Sequence, residues 1–101
     1  MFRFFKRSAA QASDEELLQQ HRSGSDLDAL GLLYERYVEL VYGVCLKYLK
    51  DETEAEDAVM AIFEELVDKS KKGEIREFLH WLYVLAKNLC LMALRMAGRN
   101  F

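Results

Sequence analysis

Proline is absent from this 101-residue chain, and glycine occurs only five times. Helices therefore have little but their capping residues to stop them. Cysteine occurs twice, as Cys45 and Cys90, without a CxxC or a nearby histidine. Thiols placed this way inside apolar helical patterns read as small buried hydrophobes, so no metal is assigned. With no secretion signal, both are expected to be reduced. No run approaches the ~20 apolar residues that span a bilayer. A glycine-rich phosphate loop, an HExxH and a nucleophile elbow are all missing. His21 and His80 stand alone, without a Ser, Cys or carboxylate at a recognisable spacing. The adjacent acids Glu56-Asp57 and Glu64-Glu65 diverge around a helix instead of converging on a substrate. Nothing here supplies catalysis, and no cofactor or small-molecule substrate is expected.

Half of the residues are hydrophobic, enough at this length for one core and not for two. No segment alternates like a strand, so the class is all-α, a compact bundle of four helices. Ser13 with Glu16 forms a capping box and Gly24 is a stop, which predicts a helix over 14–23. Ser25 with Asp28 starts a longer helix through Leu49, with apolar residues in steps of three and four from Leu30 to Tyr48. Thr53 with Glu56 caps a third helix running to Lys69, and a fourth covers Arg76 to Ala97, before Gly98. The domain spans 13–97, between a flexible tail over 1–12 and a short tail over 98–101. The first of these is basic and aromatic (MFRFFKRSAAQA). Its other reading is a short amphipathic anchor on an anionic membrane.

Charge is what the chain distributes most unevenly. Residues 51–68 carry eight carboxylates and no Lys or Arg, whereas 69–101 carry seven basic residues against Glu74 and Glu77. The net charge of −3 hides this polarity. It points to two partners of opposite sign held side by side, a protein and a nucleic acid.

On the third helix Ala55, Val59, Ile62 and Leu66 share a core face. Asp57, Met60, Ala61 and Glu64 share the opposite one. That face is either a docking surface with an apolar centre and a charged rim, or a solvated acidic face with one stray Met. The fourth helix is apolar almost all round, with Phe78, Leu82, Leu85, Leu89, Met92 and Met96 as its main stripe. A second stripe collects Trp81, Val84, Asn88 and Arg95, with His80 and Lys87 turned further out. It serves either single-stranded nucleic acid, by stacking, base-edge reading and phosphate contact, or a second packing seam with Asn88 bonded to backbone.

From Asp14 to Arg95 the sequence resembles region 2 of the extracytoplasmic-function (ECF) branch of sigma-70 factors. The resemblance is carried in order by DEELLQQHRSGSDLDALGLLYERY, VYGVCLKYLKDETEAEDAV and FLHWLYVLAKNLC followed by ALR. It implies a bacterial, cytoplasmic, non-enzymatic domain of transcription initiation. The acidic helix would dock on the β′ coiled coil of core RNA polymerase through Asp57, Met60, Ala61 and Glu64. The last helix and the loop before it would bind the promoter −10 element and hold its melted non-template strand. In that mapping the loop Lys71–Ile75 receives a flipped base and Asn88 helps shape its pocket. Arg76, Lys87 and Arg95 bind phosphate, Lys71, Lys72 and His80 add to the DNA-binding set, and Trp81 is either a DNA contact or structural. An anti-sigma factor is a further expected partner.

The chain also departs from the family pattern. Met60-Ala61 stands where many members have Gln-Glu, Val84 where Arg is usual and Met92 where Asp is common. The last helix is thereby less basic than in most members. Members usually continue into a helix-turn-helix domain reading the −35 element; the chain stops at Phe101, and the expectation is an excised domain. Two rivals follow. One is a sigma-like module binding polymerase or an anti-sigma factor without DNA, favoured by the weakened basic face. The other is a small helical enzyme or metal-binding bundle using the Cys and His residues.

Overall fold

A computed structural model describes residues 12–24, 26–72 and 75–98. These are all-α, with five helices and no strand among the described residues: α1 Asp14–Gly24, α2 Leu27–Glu35, α3 Val38–Leu49, α4 Glu52–Lys69 and α5 Phe78–Met96. None of these five helices is long and apolar enough to cross a membrane. The chain divides into two compact units, one up to Arg36 and one from Tyr37. Most of the expected tails, residues 1–11 and 99–101, lies outside the described residues.

In the first unit the Ser13–Glu16 capping box forms reciprocally. The Ser13 N–H donates to Glu16 Oε1 at 2.8 Å, and the Glu16 N–H donates to Ser13 Oγ at 3.1 Å. Two of the helix's orphan donors are satisfied in this way. The cap expected at Ser25 lies outside the described residues, and Asp26 caps α2 by accepting from the Ala29 N–H at 3.2 Å. His21 is buried and its Nδ1–H donates to the Asp26 carbonyl at 3.3 Å, tying the end of α1 to the start of α2. At the far end of α2, Arg36 pairs with Asp14 at 2.9 Å and donates to the Ala12 carbonyl at 2.6 Å. Both ends of this helical pair are thus fastened by polar contacts.

The single long helix expected through Leu49 is two helices. Arg36 closes α2 with a tight bond from its N–H to the Leu33 carbonyl (3.3 Å), and Tyr37 leaves helical geometry at φ −121°, ψ 9°. The apolar period gives no warning, because Tyr34, Tyr37 and Val41 still follow steps of three and four across the break.

The second unit holds α3, α4 and α5, and α3 packs against both of the others. Lys50, in the left-handed region at φ 59°, ends α3 by donating its N–H to the Leu46 carbonyl at 2.8 Å. Asp51 then caps α4, its Oδ1 accepting from the Glu54 N–H at 2.9 Å. The cap predicted at Thr53 is therefore two residues too late. Asp outranks Thr as an N-cap and here comes first, at an extended φ of −151°.

Ala55, Ile62 and Leu66 of α4 are fully buried, as the expected core face requires, with Val59 half-buried beside them. Full burial stabilises each large aliphatic by roughly 1.5–3 kcal/mol. The main stripe of α5 differs from expectation. Phe78, Leu82, Ala86, Cys90 and Leu94 are buried, whereas Leu85 and Leu89 are half-buried and Met92 and Met96 are exposed. The buried set advances by four residues at every step, along the i±4n ridge used in close helix packing. Ala86 and Cys90 lie at its middle, where small side chains let a neighbouring helix approach. Long apolar residues drew the sequence reading away from them.

The cap geometry yields a direct test. Asp51→Ala is expected to cost about 1 kcal/mol, a fall in Tm of roughly 4–8 °C for a domain of this size. Thr53→Ala should not lower Tm, since Thr53 is exposed and away from the cap and Ala is the better helix former. Thermal unfolding followed by circular dichroism checks both.

Candidate functional site

Four residues of α4 come out on one face, as their i, i+3, i+4, i+7 spacing requires. Asp57, Met60 and Glu64 are exposed and Ala61 is half-buried; Met60 keeps 65% of its surface in solvent. Neither Asp57 nor Glu64 has an ion-pair partner among the described residues. The ion pairs of this helix lie at its other end, Glu65–Lys69 at 3.8 Å and Asp68–Lys72 at 3.2 Å. Asp57 and Glu64 therefore present uncompensated negative charge around an exposed methionine.

On α5 the row Trp81, Val84, Asn88, Arg95 faces outward. Val84 is 38% exposed, Asn88 and Arg95 are exposed, and Trp81 is half-buried. Val84 and Asn88 are not buried in a seam, Trp81 is partly packed, and the Asn88 amide makes no hydrogen bond among the described residues. Trp81 is held by its neighbours, stacked on Phe78 with centroids 6.3 Å apart at 27°. Phe78 in turn meets Tyr37 at 6.0 Å. The indole is thus held against Phe78 while part of it meets solvent.

The remaining basic candidates fall in two places. Lys71, Lys72 and Arg76 are exposed on the segment leading into α5. Ile75 is buried there, and residues 73–74 of the expected base-receiving loop lie outside the described residues. His80 and Lys87 lie about a quarter turn round α5 from the Trp81 row. His80 borders a second groove of about 360 Å³ with Leu40, Glu77, Leu79 and Tyr83. Trp81, Asn88 and Arg95 are gathered in one row; His80 and Lys87 are not part of it.

Two features escaped the sequence. The first is an open groove of about 550 Å³ between α3 and α4, lined by Val38, Glu39, Tyr42, Glu56 and Val59. Desolvation, followed by the charges of Glu52, Glu56 and Asp51, raises the Tyr42 phenol above its ordinary 10.0. The second is that Cys45 and Cys90 meet across α3 and α5, both fully buried. The Cys45 thiol donates a hydrogen bond to Cys90. That bond lowers the pKa of Cys90, while the same bond and then burial push the Cys45 thiol far above the usual range. Such a thiol is inert, and no group of three or more His, Cys, Asp or Glu among the described residues is placed to hold a metal. The only sequence signals for either feature were apolar and small residues on separate helices.

Comparison with known proteins gives one match. The family model described as Sigma-70 region 2 matches residues 33–100, more than half of the chain. It takes in α3, α4, α5 and the end of α2, while α1 and most of α2 fall before it. No curated protein and no solved structure matches.

The Tyr42 environment predicts an alkaline loss of stability. A phenol raised in the folded state contributes stability that is complete below its unfolded value and is lost as pH climbs through the folded value. Wild-type Tm should therefore fall as pH rises above 10, and Tyr42→Phe should show a shallower decline. Melting curves from pH 8 to 11.5, overlaid for the two proteins, measure the difference.

Proposed function

This chain belongs to the sigma-70 region 2 family, and we propose that it is an ECF-type member that docks on the β′ coiled coil and captures the melted −10 element. Region 2 of a sigma factor serves in core polymerase binding and promoter recognition, and it is not an enzyme. The finer assignment rests on one observation. A single three-helix unit carries an unpaired acidic face on α4 and an outward aromatic, amide and cation row on α5.

In this reading Asp57 and Glu64 face basic residues of the coiled coil, with Met60 and Ala61 as the apolar centre between them. Charge complementarity sets orientation and association rate, and the methionine supplies adaptable contact. On the other face, Trp81 offers a ring for an unstacked base and Asn88 an amide for a base edge. Arg76, Lys87 and Arg95 hold phosphates, with Lys71, Lys72 and His80 at the periphery. Binding the extruded base better than the paired one draws the duplex toward its open state by that difference in affinity. The protein acts in the cytoplasm, restrained by an anti-sigma partner.

A second reading, a module that binds polymerase or an anti-sigma factor without DNA, draws on the exposed Val84 and Met92. These make the α5 surface apolar where a phosphate-binding helix carries charge. It predicts that Lys87→Glu leaves oligonucleotide affinity unchanged.

The two faces are separable. Asp57→Lys should weaken core polymerase binding by roughly tenfold or more, as charge reversal in a complementary interface does. The same substitution should spare binding to a −10 non-template oligonucleotide. Asn88→Ala should weaken the oligonucleotide by roughly tenfold and spare the polymerase. Fluorescence anisotropy with both partners reads the pattern, and equal losses in either variant would sink the two-face assignment.

A further inference from the structure

The two cysteines are reactive groups that neither proposed binding face uses. Cys45 of α3 and Cys90 of α5 are both 0% exposed, and the Cys45 thiol donates a hydrogen bond to Cys90. Their helices pack along one seam, pinned at its start by Tyr37 against Phe78 with centroids 6.0 Å apart. Ala86, buried one turn before Cys90, puts little bulk between the two backbones. Sulfurs in hydrogen-bond contact stand within roughly 2 Å of the separation in a disulfide, a gap that side-chain rotation and a slight approach of the helices close. Each thiol thus has beside it the one group able to turn an oxidised sulfur into a cross-link.

The two thiols are not equivalent. Cys45 keeps its proton in the shared hydrogen bond, and the same bond favours the thiolate of Cys90, so Cys90 is the nucleophile and Cys45 the resolving partner. While the seam is closed neither meets solvent, and a small oxidant reaches them when α5 parts locally from α3. We propose that Cys45 and Cys90 form a reversible redox lock, closed to an α3–α5 disulfide by hydrogen peroxide and reopened by a small thiol. The Cys90 sulfur attacks one peroxide oxygen and the O–O bond breaks. Cys90 becomes a sulfenic acid, and the departing hydroxide takes the proton Cys90 gave up and leaves as water. The Cys45 sulfur then attacks the sulfenic sulfur, and the displaced hydroxide leaves with the Cys45 proton as a second water. The two thiols lose two electrons and the peroxide gains them. Two molecules of a reducing thiol return the electrons by exchange and depart as their own disulfide. The lock acts on the helix that carries the Trp81 row, and it does not depend on what that row binds.

The test treats the reduced full chain with hydrogen peroxide, in buffer and in urea below the unfolding transition, and reads intact mass, peptide maps and thermal melts. The wild type is expected to join its Cys45 and Cys90 peptides within one chain. Mild urea should speed this closure, because it opens the seam more often. The bond closes a long loop, so the oxidised chain should melt roughly 10 °C or more above the reduced one and return on adding dithiothreitol. Exposed Met60, Met92 and Met96 gain oxygen under the same treatment, and the peptide map separates that change from the cross-link. Cys45→Ala and Cys90→Ala should show no gain in Tm, and Cys45→Ala should leave Cys90 as a sulfenic acid that dimedone traps. Where either variant fails to fold, the wild-type map and melts still decide.

A wild type that keeps both thiols until the chain is fully unfolded overturns the lock, and so does a bond formed between two chains. Cysteine oxidation to sulfinic acid without a cross-link overturns the pairing. A disulfide that lowers Tm also overturns the proposal, since closure would then strain the seam it is meant to hold. A gain in Tm that persists in both alanine variants assigns the effect to the methionines and has the same consequence.

Discussion

Helix α3 is the element on which the second unit depends, because it alone is the main packing partner of both α4 and α5. Its Val41, Cys45 and Leu49 are buried along one stripe. The contact with α5 is set by small groups: Cys45 meets Cys90, and Ala86 lies one turn before it. Each methylene matters where two backbones approach this closely, and a larger side chain at either cysteine would force the helices apart. With the inward stripes committed to this packing, the rows left over on α4 and α5 face solvent. The acidic face and the aromatic face are, in this sense, what the core did not use.

The electrostatics follow from the same economy. Exposed ion pairs contribute little to stability, and the two on α4 sit in its last turns, where lysines also complement the helix dipole. The carboxylates of the first turns suit the other end of the dipole without needing counter-ions. Asp57 and Glu64 can therefore stay unneutralised on a folded helix. The resulting field of one sign beside a basic, aromatic helix is what recognition of two unlike partners requires.

Much of this was legible from residues alone. The Ser13–Glu16 box, the all-helical class, the core face of α4 and the family itself were all written in local patterns. The ordered motifs from LYERY to WLYVLAKN are matched by the Sigma-70 region 2 model, although that match begins only at residue 33. What stayed hidden has physical causes. The break at Arg36–Tyr37 preserves the apolar period, and a capping Asp two residues before a capping Thr is ambiguous until backbone angles are fixed. The α5 seam runs through Ala86 and Cys90, whose importance lies in being small, which no hydrophobic count rewards. Only one wall of the α3–α4 groove belongs to any single helix, so no linear pattern encodes it. The roles proposed for Asp57, Met60, Ala61 and Glu64, and for the Trp81 row, rest on the resemblance together with their exposure.

The two-residue connection at Lys50–Asp51 also shapes how the unit assembles. Because α3 and α4 are joined so tightly, their contacts close short loops and carry little entropic cost. The α3–α5 seam joins residues some forty positions apart, Cys45 with Cys90 being the clearest pair. Contacts of long separation are the slow part of folding in small domains. The α3–α4 hairpin is therefore expected to form ahead of α5, and substitutions in the α5 seam to act chiefly by speeding unfolding. By the same reasoning α5 is the last helix expected to dock and the first to leave.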